Sequence, residues 1–234
     1  MPNNFSYARF QERFPLTQDD VINHVIGKFF PTYNDKRRQT AFNNLSIIFD
    51  ATFRLSARNG FAYMTVRNLQ KETGISMGGL YNYFTSKEEL ERMIVEGLYF
   101  ITDYSCSLPP PRDQSSVNML RHHIMGYVYI SERFKPWYFF VFMELRTMAP
   151  ANLHRVQELQ VLYLEKLSLQ MNNSQALSSD LCVIIQDFYL RSWKYKNVPI
   201  DQFAEHCVSL ALIMNQHALS LTDLQLNYGP PESS

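Results

Sequence analysis

Apolar side chains recur along this chain at intervals of three and four, the period of a helix with one buried face. Val21, Ile22, Val25, Ile26, Phe29 and Phe30 make the first stripe. Thr17 with Asp20 forms a capping-box-like start ahead of it, and Pro31 stops it. A second helix is predicted from about Asp35, carrying Ala41, Leu45, Ile48, Phe49, Phe53 and Ala57 up to Gly60. Ser86 with Glu89 opens another through Leu90, Ile94, Leu98 and Ile101. Longer helices are then predicted over about 113–134, 137–148, 151–171, 178–196 and 200–224. No stretch shows sustained strand alternation between hairpin turns, and there is no internal repeat, so the fold class is all-α.

Proline and glycine divide this pattern. Pro31, Pro109 to Pro111, Pro136, Pro150 and Pro199 leave helix-length stretches between them. The triplet at 109–111 is the strongest punctuation between a small N-terminal part with short helices and a C-terminal bundle. The expected organisation is an extension with one amphipathic helix over 1–33 and a small domain over 34–85. A helical domain over 86–226 follows, linked by helix 86–107, then a disordered tail over 227–234.

Four of the eight glycines (Gly60, Gly74, Gly78, Gly79) fall in one twenty-residue window. There Thr65 caps a short helix, Val66 to Thr73, and Gly74 supplies the left-handed residue that ends it. Ile75 plugs the turn, and Ser76 caps a second short helix, Met77 to Tyr83. Two helices joined by a tight Gly-containing turn make a helix-turn-helix, whose second helix enters the major groove of DNA. The ordered set Gly60-Phe61, Thr65, Gly74-Ile75-Ser76, Gly78, Leu80-Tyr81, Tyr83-Phe84 and Ser86-Lys87-Glu88-Glu89-Leu90 resembles the DNA-binding domain of the TetR family of bacterial transcriptional regulators. By motif the likeness covers about residues 35–105. Leu69-Gln70 stands where the family usually has Ile-Ala, Thr73 where Ala is usual, and Gly79 where Thr, Ser or Ala is common. The extra helix near 17–30 has no counterpart in the family pattern.

The candidate DNA-binding residues are Thr65, Arg67, Ser76, Met77, Gly78, Gly79, Tyr81, Asn82, Lys87, Lys36, Arg37 and Arg38. Tyr81 offers a hydroxyl, and Lys87 an ammonium at a helix start, to phosphate oxygens. Lys36, Arg37 and Arg38 can reach the flanking backbone, and Arg67 is a further cation. Met77, Gly78 and Asn82 face the bases, Asn82 being able to read an adenine edge bidentately. The Gly78-Gly79 pair weakens that helix by roughly 1 kcal/mol per glycine relative to alanine and lets backbone approach DNA.

The formal net charge is zero, with 22 basic and 22 acidic residues. Up to Arg92 there are 12 basic and 9 acidic side chains, so a mildly cationic part is offset by an anionic remainder. Cys106, Cys182 and Cys207 show no paired spacing, which points to reduced thiols. His122-His123 and His206-Cys207 are adjacent and diverge on a helix, so no metal site or cofactor is expected. No nucleophile, paired carboxylate or phosphate loop suggests an enzyme. The N-terminus lacks a secretory signal and no apolar run spans a bilayer, so the chain reads as soluble and cytoplasmic.

The C-terminal part is rich in aromatics and can hold an apolar or aromatic effector. His122, Tyr127, Trp137, Phe140, Met143, Glu144 and Phe188 are the candidate lining. Leu181, Ile184, Ile185 and Phe188, with Phe203, Cys207, Leu210, Met214, His217 and Leu221, form faces suited to helix packing. The resemblance implies that they build the interface of a homodimer. It implies a ligand-responsive regulator, most simply a repressor released from a palindromic operator by a small effector. The alternative is a regulatory module of the same fold that acts through protein contacts, the two glycines having spoiled DNA recognition.

Overall fold

The computed structural model describes residues 5–111 and 113–217. Among them the protein is all-α, with eleven α-helices and one 3-10 turn. In chain order these are α1 (Tyr7–Arg13), α2 (Gln18–Phe29), α3 (Asp35–Asn59), the turn Phe61–Tyr63, α4 (Val66–Thr73) and α5 (Met77–Tyr81). Then come α6 (Lys87–Ser107), α7 (Ser116–Arg133), α8 (Lys135–Glu144), α9 (Pro150–Ser168), α10 (Gln175–Leu190) and α11 (Ile200–His217). The expected tail at 227–234, the last turns of the final helix and Leu221 lie outside the described residues.

The helices group into two compact units that interleave along the chain. The helix-turn-helix unit takes Leu16–Asp103 and Pro136–Val156. The bundle unit takes the described residues up to Pro15, Tyr104–Lys135 and those from Gln157 onward. This division differs from a cut at 85/86. Most of α6, with α8 and the first turns of α9, belongs with the helix-turn-helix. The reason is apolar area. Leu45, Ile48 and Phe49 on α3 need more cover than two short helices offer. They are buried together with Leu90 and Ile94 of α6 and Trp137 and Phe140 of α8. The Trp137 ring meets Phe49 and Phe53 at 5.2 Å, and Phe140 meets Phe61 at 5.1 Å. The extra helix α2 packs on α3 with Val21, Val25 and Ile26 fully covered. Its capping box forms as the sequence predicts, the Asp20 N–H donating to Thr17 Oγ1 at 3.2 Å and the Thr17 N–H to Asp20 Oδ2 at 2.8 Å.

The extension carries one helix more than its apolar pattern predicts. In the bundle unit, Ser6 caps α1, and Phe14 closes it. The Phe5 and Phe10 rings lie 5.8 and 5.6 Å from Tyr129 on α7. Asp201, in the first turn of α11, ties this layer together. Its Oδ1 accepts from the Tyr7 N–H at 2.8 Å and from the Tyr129 hydroxyl at 2.5 Å. Burial, then Asp201 itself, pushes the Tyr129 phenol far up, so it stays a neutral donor. Tyr129→Phe is expected to lower stability by about 2 kcal/mol, since a bond to a charged acceptor is lost from a covered site. Thermal unfolding would show a fall of roughly 5 °C; an unchanged midpoint would mean that the bond adds nothing net.

Candidate nucleic-acid interface

The helix-turn-helix is built by local hydrogen bonds that its sequence dictates. Thr65 Oγ1 accepts from the Asn68 N–H at 3.1 Å, and Asn68 Oδ1 accepts from the Thr65 N–H at 3.0 Å. Asn68 thus completes a capping box in place of the usual Glu or Gln. Leu69 points fully inward. Gly74 ends α4 at φ 72° and ψ 0°, left-handed backbone that a side chain would strain. Thr73, where the family has Ala, stitches the turn. Its hydroxyl donates to the Leu69 carbonyl at 2.8 Å and accepts from the Ile75 N–H at 3.2 Å.

Ser76 opens α5, its Oγ accepting from the Gly79 N–H at 3.1 Å. α5 stops at Tyr81, two residues before the predicted end, with Asn82 as its C-cap. Leu80 and Phe84 are buried and lock the helix inward. Tyr83 is buried too, its hydroxyl accepting from Asn44 Nδ2 at 2.8 Å. Gly78, Tyr81 and Asn82 face solvent, and Met77 is half-buried. The two glycines differ in kind. A Cβ on Gly79 would sit 2.8 Å from Ile75 Cγ2, a stiff β-branched contact, whereas one on Gly78 would meet nothing. Close packing against Ile75 at the turn thus accounts for Gly79. Gly78→Ala is expected to stabilise the free protein by up to about 1 kcal/mol, and Gly79→Ala to destabilise it. Chemical denaturation of the two variants checks this, and shifts of the same sign would refute it.

The cations divide into free and committed. Lys36, Arg37 and Arg67 are exposed and form no ion pair among the described residues. Arg38 Nε donates to the Tyr33 carbonyl at 3.1 Å. Lys87 is turned inward. Its Nζ donates to the Phe61 and Ala62 carbonyls at 2.7 and 2.9 Å and lies 4.9 Å from the Phe61 ring centre. Burial is the main cause holding its pKa below that of an ordinary lysine. From the other side, buried Glu144 takes the Phe61 N–H at 2.8 Å and the Ser56 hydroxyl at 2.6 Å. The turn leading into α4 is thus held at both its carbonyls and its amide. Nothing in the sequence pattern pointed to Glu144 in this role, because its partners are 83 and 88 residues away.

The candidate effector lining does not come together as one set. Trp137, Phe140 and Glu144 are buried inside the helix-turn-helix unit, and Met143 beside them is 48% exposed. His122, Tyr127 and Phe188 belong to the bundle unit. There Tyr127 stacks on Tyr163 at 4.2 Å, and burial pushes the His122 imidazole pKa down. Of the candidate interface residues, Leu181, Ile185, Phe188, Phe203 and Cys207 are covered within the single chain, Phe188 stacking on Phe203 at 4.0 Å. Ile184, Leu210 and Met214 are half-buried. The exposed apolar residues of α10 and α11 are Val183, Leu190 and Ile213. Among the described residues no three His, Cys, Asp or Glu side chains are placed to hold a metal ion. Burial pushes the Cys182 and Cys207 thiols up to about 12, away from nucleophilic use.

A capped helix, a left-handed glycine turn and a short inward-locked second helix define a helix-turn-helix protein. The model of bacterial regulatory proteins of the tetR family matches residues 48–92, the stretch that carries this geometry. A 49-residue segment is 41% identical to the uncharacterized HTH-type transcriptional regulator YfiR of Bacillus subtilis (strain 168), spanning 21% of this chain and 24% of that one. The matched segment is thus about a quarter of that relative's length. The fold is similar to the crystal structure of the TetR family transcriptional regulator PfmR from Thermus thermophilus. The TM-score is 0.59 at 16% identity, over 71% of this chain and 97% of that one. Residues 48–92 thus match the tetR-family model, and the fold of the chain is similar to that of a solved regulator of that family.

Proposed function

We propose that this chain is a DNA-binding transcriptional regulator, acting as a homodimeric repressor on a palindromic operator and released by a small effector. The observation that carries the reading is the outward set on α5. Gly78, Tyr81 and Asn82 face solvent on a helix whose other side is fixed by Leu80 and Phe84. Such a helix offers a bare backbone, a phosphate donor and a base-reading amide together. Free Lys36, Arg37 and Arg67 supply positive charge in the same unit. A dimer sets two such helices about one DNA turn apart, and exposed Val183, Leu190 and Ile213 are apolar surface on which copies can join. Among the described residues no helix is long and apolar enough to cross a membrane. The regulatory reading carries with it action in the cytoplasm and no enzymatic role.

Repeated selection from a randomised duplex library with the purified chain tests the reading. The expected result is enrichment of a palindrome bound in a salt-dependent manner against excess unrelated DNA. Failure to enrich any sequence would overturn it.

A further inference from the structure

The turn Phe61–Tyr63 presents one large side chain that the reading above does not use. Among the described residues no large apolar side chain is more open to solvent than Tyr63, at 82%. Its ring meets no other ring, and its hydroxyl has no partner, among those residues. The ring lies beside the α-carbon of Gly60, where a Cβ would stand 3.7 Å from Tyr63 Cδ2. A single exposed aromatic is ordinary on a protein surface; the mounting of this one is not. Phe61 and Met64, within two residues of it on either side, are buried. Glu144 accepts from the Phe61 N–H, and Lys87 donates to the Phe61 and Ala62 carbonyls. The Met64 N–H closes the turn on the Phe61 carbonyl at 3.0 Å. Two ionic groups, one from α8 and one from α6, thus fix the main chain under Tyr63. A tyrosine on a fixed backbone offers a large amphipathic surface and loses only two side-chain torsions on binding. Two residues on, Thr65 caps α4, the helix of the motif that crosses the DNA backbone. Arg67, in the first turn of α4, is exposed and forms no ion pair among the described residues.

We propose that Tyr63 is a further DNA-contact residue, placed beside the groove that α5 enters. Its ring lies on the deoxyribose of the flanking strand, and its hydroxyl donates to a phosphate oxygen there. This rests on the DNA-binding reading and adds a contribution that the cations do not supply. The contact is neutral, so it displaces no counterion and reads no base. It positions α4 against the backbone through apolar area and one hydrogen bond.

Duplex titrations of Tyr63→Ala and Tyr63→Phe, with the selected palindrome and with unrelated DNA, test the contact. The alanine variant should bind both about tenfold more weakly, with the slope of log affinity against log salt unchanged. The phenylalanine variant keeps the ring and should lose only about threefold. Neither thermal midpoint should move, since the ring is not part of the core. Nitration of the full chain by tetranitromethane, with and without the selected duplex, reads the contact directly. Trypsin separates Tyr63, on the peptide 59–67, from Tyr81, on the peptide 72–87. Both tyrosines should be nitrated in the free chain and protected in the complex. Wild-type affinity in the alanine variant, or undiminished nitration of Tyr63 while Tyr81 is protected, would overturn the contact and leave the DNA-binding reading standing. Failure of the wild-type chain to bind any duplex would overturn both.

Discussion

Replacing Glu144 by alanine is expected to destabilise the helix-turn-helix unit by about 3 kcal/mol, because buried donors lose their acceptor. The side chain is 5% exposed. Its Oε1 receives the Ser56 hydroxyl and the Phe61 N–H, and its Oε2 the Thr147 hydroxyl at 3.1 Å. The Phe61 amide has no water-facing alternative once the carboxylate is gone. Glu144→Gln retains the Oε1 acceptor and should recover much of the loss, which separates the hydrogen bonds from mere volume. Urea unfolding of both variants is the measurement; equal losses would show that packing, not acceptance, is at stake.

A second buried carboxylate in the same unit responds to pH. Glu91 is 3% exposed, and its Oε2 accepts from Asn152 Nδ2 at 2.7 Å and from the Ala149 N–H at 3.0 Å. Burial is the main cause raising its pKa, with Glu88 and Glu144 adding repulsion. The folded state therefore keeps a proton that the unfolded chain releases. Stability from this group is complete below the ordinary carboxyl range and is lost as pH rises through the raised value. Glu91→Gln should be nearer to the wild type at acid pH and gain on it toward neutrality. A parallel decline of both proteins between about pH 5 and about pH 8 would refute this.

These two carboxylates show where the sequence stops being legible. The helix-turn-helix could be read because its determinants are local. Thr65, Gly74 and Ser76 act within three or four residues of themselves, and their spacing is the geometry. The extent of the unit could not be read in this way. Trp137 and Phe140 look like any aromatic run in a bundle, and only the fold brings them to Phe49 and Phe61. Glu144 looked like a polar group in an apolar lining, which is true, but what it orients is the chain's own turn. Helix α1 escaped because its apolar residues are few and interrupted by charge, and its cover comes from Tyr129 and Asp201. The periodic seam of α11 was visible, but periodicity shows that a face is covered and not by whom. Phe203 and Cys207 are already covered within one chain.

The largest change in duplex affinity is expected from removing Lys36, Arg37 and Arg67 together. Each is exposed with no ion pair among the described residues, whereas Arg54 and Arg58 are held by Glu72, Arg92 by Glu89 and Lys28 by Glu96. A paired cation has its counter-charge already, and displaces little salt when it meets a phosphate. A free one releases roughly 0.9 of a counterion per contact. The triple alanine variant should therefore flatten the slope of log affinity against log salt by roughly 3, and weaken binding by on the order of 100-fold at physiological salt. All sequences should suffer alike, since phosphates carry no base identity. Asn82→Ala should do the reverse, leaving the slope intact and relaxing choice at one base pair by about 1–3 kcal/mol. Lys87→Met separates two roles that the sequence could not. Its ammonium binds two carbonyls of the turn before α4, so its loss should lower stability and affinity with no change in slope. A slope reduced by about 1 would instead make Lys87 a phosphate ligand, the carbonyl contacts being what holds it in reserve until DNA arrives.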